Sequence, residues 1–465
     1  MTHETCTNAT LPVLTLSTKS ILESQVIEPG LCTGCGACIA ISTQTESVMA
    51  DSPLGPLPQF SGEDPPDAAV RVCPAYRLSY PDLYRSHYQS LPESWLLGTV
   101  LRTRTGHATN PDIRRLGASG GTLTAVLCHL LITKRVDAVV AVRQGVPEPE
   151  LARAVLCHSV EDVLSCAQSV YVPVSVLDIL RQLEPGKRYA MTCLPDQAAA
   201  LRALQREGFG PAHQVVYVLG PYTGTALYPA AIRNYLRSKG VRPNDPITSL
   251  KWRAGEWPGY LEIKTQSGQI FRSNKVYYNF LIPFFITQNS LQNMDFANEF
   301  SDLSVGDAWS PALEAQGQGF SVFTTRSQEM EDILQEMCEL NLLTTKSIDP
   351  VKASEMHGHM MDFKKRGGYI RNQFRRKLGR PAPDYGFRPS PLPFSRILVE
   401  CVISSIFLVC RTRLARWLLS LIPERIIGPA FNRLRLGWKA LSKPTKRKGL
   451  GNLTMIETHK ASAKS

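Results

Sequence analysis

Gly120-Gly121-Thr122-Leu123-Thr124-Ala125-Val126-Leu127-Cys128-His129-Leu130-Leu131-Ile132, followed by Val136-Asp137-Ala138-Val139-Val140-Ala141-Val142, is the stretch that sets the fold class. In the first segment Leu123, Val126, Leu127, Leu130 and Leu131 fall on one face at helical spacing. The second is a short apolar run rich in valine, the pattern of a strand buried on both sides. Gln214 to Leu219 repeats that pattern. Helix alternating with buried strand over residues 98–240 predicts an α/β layer. Downstream, Tyr260 to Lys264 and Gln269 to Arg272 flank Gln266-Ser267-Gly268, a hairpin signal, and residues 248–325 read as β-rich. Residues 326–380 read as helical and charged.

The chain has 465 residues, 43% of them apolar, enough for two or three domains with cores of their own. A formal charge of +12 invites a nucleic-acid reading. Its distribution opposes one. Tyr385 to Ser465 holds 15 of the 52 Lys/Arg and 3 of the 40 Asp/Glu, so the preceding residues are neutral. The positive charge belongs to a tail, and no nucleic-acid partner is expected. Met1 to Leu22 shows no basic start followed by an apolar run, and no stretch reaches the length that spans a bilayer. The expected location is cytoplasmic, where twelve cysteines are thiols or metal ligands rather than disulfides.

Three of those cysteines are close together. Gly30-Leu31-Cys32-Thr33-Gly34-Cys35-Gly36-Ala37-Cys38 is C-x2-C-x2-C, a spacing that wraps three thiolates around one side of an iron–sulfur cube. The small residues between them let backbone N–H groups approach the inorganic sulfides. The next position in the ferredoxin pattern is Ser42, not cysteine. Val72-Cys73-Pro74 supplies the Cys-Pro signature downstream, and Cys73 is the expected fourth ligand of a single 4Fe–4S cluster. A zinc site is the alternative, but zinc knuckles take paired ligands from two turns. The other cysteines, Cys6, Cys128, Cys157, Cys166, Cys193, Cys338, Cys401 and Cys410, are scattered and read as small hydrophobes.

Ile113-Arg114-Arg115-Leu116-Gly117-Ala118-Ser119-Gly120-Gly121-Thr122 runs directly into the amphipathic helix. Glycines and a serine at a helix start offer unpaired N–H groups to an anion such as a flavin phosphate, or simply cap the helix. With these segments in hand, the chain resembles the coenzyme F420 hydrogenase/dehydrogenase beta-subunit family, which includes chlorophyll-pathway reductases and members encoded with polysaccharide synthesis. The resemblance runs from about Leu31 to Gly386. It includes the cysteine motif, the distal Cys73-Pro74 and the glycine turn. It continues through Pro195-Asp196-Gln197-Ala198-Ala199-Ala200-Leu201-Arg202, Arg253-Ala254-Gly255-Glu256-Trp257-Pro258-Gly259 and Asp302-Leu303-Ser304-Val305-Gly306-Asp307-Ala308-Trp309. It implies FAD (or FMN) beside the cluster, with Arg115, Ser119, Gly120, Gly121 and Thr122 as the flavin-binding candidates. It also implies a carrier such as ferredoxin or a deazaflavin, and a small organic substrate. Relatives carry further cysteines for a second cluster. Here the corresponding places are Asp196, Ser290 and Asn293, so one cluster is expected and the second lost. Lys275, Tyr277, Tyr278, Asp307 and Glu256 lie in or near the matched segments, and none is singled out as catalytic. His357 and His359 are two apart and do not form a ligand pair.

After Pro389-Ser390-Pro391-Leu392-Pro393 the composition changes. Ile397 to Cys410 is apolar apart from Glu400 and two serines. Leu414, Trp417, Leu418 and Leu421 share a helical face among Arg411, Arg413 and Arg416, with Lys443 to Lys448 beyond. This is the pattern of helices lying on an anionic membrane at the inner face, or of a helical hairpin packed on the body. The expected organisation is then a flexible arm (1–28), an iron–sulfur segment of ferredoxin-like character (29–90) and an α/β N-terminal family domain (91–245). A β-rich C-terminal family domain (246–385) and a basic amphipathic helical tail (386–465), unstructured beyond 449, complete it. The expected function is an iron–sulfur flavoprotein oxidoreductase. An electron-transfer subunit without a substrate of its own, or a degenerate non-redox scaffold, are the rivals.

Overall fold

The computed structural model describes residues 16–274 and 279–458. Cys6, Lys275, Tyr277 and Tyr278 lie outside the described residues. The fold is mixed α/β, built on an eight-stranded sheet. Its strands are β1 (Arg102–Ala108), β2 (Ala138–Gln144), β3 (Ala152–Cys157), β4 (Tyr189–Thr192), β5 (Val215–Pro221), β6 (Leu303–Asp307), β7 (Ser321–Thr325) and β8 (Leu343–Ser347). They lie in the order β8-β1-β7-β6-β5-β4-β2-β3. β2, β4, β5 and β6 are parallel neighbours, and antiparallel strands close both edges. Ala138, Val139 and Val140 are fully buried, as their unbroken apolar run requires of a strand covered on both faces. Strands from residues 102–221 and from 303–347 share this sheet, so the two halves of the family region form one layer.

The helix predicted from the opening stretch spans Thr122–Ile132. The predicted hairpin is present as well. Tyr260–Thr265 pairs antiparallel with Ile270–Asn274, and Gly268 at the turn has a φ of 84°. With Ile247–Ala254 these make a separate three-stranded sheet. Beyond it the chain is less β-rich than expected. Residues 279–302 are short helices and turns, and the later strands join the central sheet.

Three expectations about loose segments are corrected where residues are described. Within the arm, Thr18–Leu22 and Glu23–Ile27 are helical. Ser17 caps the first turn, and Asp64 accepts from the Thr18 and Lys19 amides at 2.9 Å. Leu22 and Val26, four apart, are buried by this helix and explain why it forms. Asp51 to Asp67, rich in Pro, Gly and Asp, reads as a loop from its sequence, yet Leu57–Gln59 within it forms a strand that pairs with Val48–Ala50. Near the C-terminus, Thr454–Glu457 pairs with Phe387–Ser390, and Met455 is buried. The tail itself is helical: Phe394–Cys410, Arg413–Leu421 and Glu424–Arg447. No helix among the described residues is long and apolar enough to cross a membrane.

Candidate functional site

The cysteine segment is held by backbone bonds that leave its sulfurs on one wall. The Leu31 and Cys32 amides donate to the Val26 carbonyl at 2.9 and 3.1 Å, and the Val176 and Leu177 amides donate to the Cys35 carbonyl at 3.3 and 2.9 Å. Gly34 and Gly36 have φ of 69° and 87°, the left-handed region. A methyl group on Gly36 would stand 2.5 Å from the Ser175 hydroxyl, and one on Gly34 would stand 2.7 Å from the Pro56 carbonyl, so only glycine fits at either place. Ala37–Ile41 (α1) then carries Cys38 on its first turn. Ser42, at the place of the missing local ligand, is buried and donates to the Cys38 carbonyl at 2.7 Å.

Cys73 arrives from a separate short helix, Ala68–Arg71, and meets the other three. Cys32, Cys35, Cys38 and Cys73 line a single recess, whose remaining walls are Leu22, Val26, Met49, Pro58, Phe60 and Pro74 among others. Burial pushes the thiols up, Cys32 to about 11 and Cys35 to about 12, with Cys38 and Cys73 raised further by the neighbouring sulfurs. No basic side chain is among the groups that shift them. Their pKa values move upward, opposite to the shift that activates a thiol nucleophile. Among the described residues, no three His, Cys, Asp or Glu side chains form a group that could hold a metal ion. The four cysteines share one recess without forming a compact metal-ligand group.

Next to this recess, and sharing Cys32 and Thr33 with it, lies a second hollow whose mostly apolar lining includes the polar groups Asp196, Tyr228, Thr287 and Asn289. Asp196 sits in the first turn of Pro195–Arg206 (α3), just beyond the carboxyl end of β4. It is buried, which raises its carboxyl pKa despite help from Thr33, Lys364 and Asn289. The Ser290 hydroxyl accepts from the Ala226 amide at 2.8 Å, and the Ser290 carbonyl accepts from the buried Lys364 ammonium at 2.8 Å. The Asn293 side chain accepts from the Asp295 amide at 2.6 Å. Burial, with the Glu299 charge next, raises Asp295 to about 8; burial lowers Lys364 to about 7. Each position matched to a second-cluster cysteine is thus built into a hydrogen-bonded polar network. Cys193 is buried close by, and its carbonyl accepts from the Asn298 side chain at 2.7 Å.

The glycine turn and two of the other motif segments come together at one end of the sheet. Asp307, the last residue of β6, pairs with Ser321, the first of β7, which pairs in turn with Gly106 of β1. Ser321 receives the Gly120 amide at 3.1 Å and bonds the Ser119 hydroxyl at 2.9 Å. The Gly120 donor is therefore already used. The Thr122 hydroxyl, in the first turn of Thr122–Ile132 (α2), is buried and has no hydrogen-bond partner among the described residues. Arg115 points elsewhere: it is exposed and pairs with Asp112 at 2.9 Å. Its neighbour Arg114, not among the candidates from sequence, lies across the Phe320 ring and donates to the Gly319 carbonyl at 3.0 and 3.1 Å.

Beside Asp307, Arg253 bonds both of its carboxylate oxygens at 3.1 Å, and Trp257 packs on Trp309 with ring centroids 5.0 Å apart. Glu256 is exposed. His357 bonds the Asp307 carbonyl at 2.8 Å and packs against Tyr222 and Phe296. Tyr222 and Phe296 were not singled out from sequence, and His357 was considered there only as half of a ligand pair. They stand far apart in the chain and meet beside the carboxyl ends of the neighbouring parallel strands β5 and β6. This aromatic group lies at the carboxyl ends of parallel strands, where open α/β sheets take their ligands. Elsewhere, the Cys157 and Cys166 sulfurs are 3.8 Å apart in reduced form, a pairing that scattered spacing did not disclose.

Family models agree with this layout. Residues 103–181 match the N-terminal model, and residues 186–351 the C-terminal model, of the family described as coenzyme F420 hydrogenase/dehydrogenase, beta subunit. Together the two cover just over half of the chain. No curated protein matches it. A solved structure similar to it is a chain of the F420-reducing NiFe hydrogenase complex from Methanosarcina barkeri, determined as a xenon derivative. It is 15% identical, covers 63% of this chain and 98% of that chain, and superposes with a TM-score of 0.49.

Proposed function

The chain belongs to the coenzyme F420 hydrogenase/dehydrogenase beta-subunit family, and from that premise we propose that it is an electron-transferring oxidoreductase with one iron–sulfur cluster and a flavin. The observation that carries the reading is the convergence of Cys32, Cys35, Cys38 and Cys73 on one recess with largely apolar walls. Four sulfurs without a cationic neighbour suit a 4Fe–4S cluster, whose iron supplies the positive charge that lets buried thiols ionise. Gly34 and Gly36 set the path of the segment that carries three of these cysteines, and Leu22 and Val26 add apolar wall to the recess.

A flavin is proposed at the sheet end where the glycine turn, Asp307 and the aromatic group meet. Thr122, with its unpartnered hydroxyl at a helix start, fits a phosphate oxygen; Ser119, Gly120 and Gly121 shape the turn around it. Arg115 remains a candidate only through reorientation away from Asp112. Arg253 orients Asp307, and Tyr222 and His357 form the wall against which an organic substrate or a deazaflavin would lie. When bound, the cluster supplies single-electron transfer and the flavin couples it to hydride exchange. Asp196, Ser290 and Asn293 do not offer the soft thiolates a second cluster needs, so one cluster is proposed. The electron donor is proposed to be ferredoxin or a deazaflavin carrier, or a partner subunit.

The test is spectroscopic. Protein purified without oxygen is reduced with dithionite and then mixed with oxidised ferredoxin or deazaflavin. Visible absorption from both flavin and cluster, bleached by dithionite and restored by the carrier, is the expected result. A colourless protein, or one carrying zinc in place of iron, overturns the reading. Colour that bleaches but is restored by no carrier removes the carrier assignment.

A further inference from the structure

The C-terminal helices α4 (Phe394–Cys410), α5 (Arg413–Leu421) and α6 (Glu424–Arg447) are amphipathic in an inverted sense. α4 turns its charges inward. Arg396 and Glu400 are completely buried; Arg396 pairs with Asp362 at 2.8 Å and with Glu400 at 2.9 Å, and Glu400 also bonds Arg371 at 2.6 Å. Its solvent face carries Phe394, Leu398, Val402, Ile406 and Val409, an exposed apolar row at helical spacing. On α5 the exposed row is Leu414, Trp417, Leu418 and Leu421. On α6, Ile426, Leu434 and Leu441 are exposed, the last at 78%. Soluble surfaces seldom leave such rows uncovered on three successive helices.

The charge on these helices has one sign wherever it meets solvent. Glu400 and Glu424 are their only acidic residues, and both are buried. Glu424 accepts from Lys239, Ser273 and Tyr235 of the body. Arg413, Arg425, Arg433, Lys439 and Lys443 stand exposed. The folded body thus takes up the tail's carboxylates and leaves its cations outside, next to apolar rows.

We propose that the outer face of α4–α6 docks on the surface of an anionic lipid bilayer. The apolar rows enter the headgroup region and the arginines and lysines meet lipid phosphates. α4, at 17 residues, is about 26 Å long and carries Arg396 and Glu400 within it, so it lies on the bilayer and does not cross it. A second copy of this chain is the poorer occupant, because it would set two cationic faces against each other. Trp417 supplies the amphipathic ring that favours a membrane interface. This docking goes beyond the redox reading and does not depend on it.

The experiment floats the full chain with vesicles of phosphatidylglycerol and phosphatidylcholine, and with phosphatidylcholine alone. Recovery with the anionic vesicles is expected to be at least about tenfold higher and to fall as salt is added. Leu398→Asp with Leu418→Asp should abolish it. Arg413→Ala, Arg425→Ala and Lys443→Ala together should lower it by at least about tenfold. All of these positions face solvent, and an unchanged melting temperature shows the fold intact. Brominated acyl chains should quench tryptophan emission, and Trp417→Phe should remove most of that quenching while flotation persists. Recovery that is equal with and without vesicles overturns the proposal. So does a dimer dispersed by Leu398→Asp with no vesicle binding.

Discussion

Two neighbouring hollows differ in what lines them. The cysteine recess is walled by Leu22, Val26, Phe60 and prolines around four sulfurs. The hollow behind it contains Asp196, Thr287 and Asn289, backed by Ser290, Asn293 and the buried Lys364. In the first, the sulfurs are left without compensating charge inside the protein. In the second, polar groups satisfy one another with hydrogen bonds of 2.6 to 2.8 Å. If the first holds the proposed cluster, its iron would supply the charge the sulfurs lack, whereas the second is satisfied by hydrogen bonds of its own.

The largest expected effect breaks the first hollow. Cys73→Ser removes the ligand that comes from a separate helix, and iron bound per chain should fall from about four to near zero while the protein remains folded. Iron analysis of protein purified without oxygen checks it. Cys193→Ser, outside the recess, should leave iron unchanged.

A smaller effect belongs to the second hollow. Lys364→Met withdraws the donor of the Ser290 carbonyl and the positive charge that favours Asp196 and Asp295. Stability in urea should fall by roughly 2–3 kcal/mol, the cost of leaving buried acceptors unmatched, with iron content unaltered. Loss of iron in this variant would mean that the two hollows are a single site.

Asp295 gives a pH signature. Its folded pKa of about 8 lies above its ordinary value, because burial and the Glu299 charge oppose ionisation. The folded chain therefore holds this proton more tightly than the unfolded chain. The contribution is fully present below about pH 4 and is lost as pH rises through about 8. Against Asp295→Asn, the wild type should lose stability over that window with a slope of up to about 1.4 kcal/mol per pH unit. A flat difference between the two would contradict the raised value. Arg115→Ala is the smallest change. The side chain is exposed and paired only with Asp112, so stability should move by less than about 0.5 kcal/mol. Equal flavin content in this variant would remove Arg115 from the flavin site.

How much of this was legible depended on distance along the chain. That Cys32, Cys35, Cys38 and Cys73 line one recess was readable because three of them fall within one turn-sized segment and the fourth carries its proline. The α/β layer was readable from Val136 to Val142 and its helix, where local pattern and burial coincide. The arm helix was missed, although Leu22 and Val26 are spaced for it, because its partner Asp64 lies more than forty residues away. Tyr222, Phe296 and His357 have no local pattern at all. In the tail, periodicity found the apolar rows on Leu414 to Leu421 but could not say which way they point. Arg371 and Asp362 attract the charged side of α4 inward, and that information lies outside the helix.

The most direct measurement is iron and acid-labile sulfide analysis combined with electron paramagnetic resonance of the dithionite-reduced wild-type chain. The account predicts about four irons and four sulfides per chain and one cubane signal from a single reduced cluster. Eight irons with two interacting signals, or a stoichiometric zinc with no signal, would contradict it.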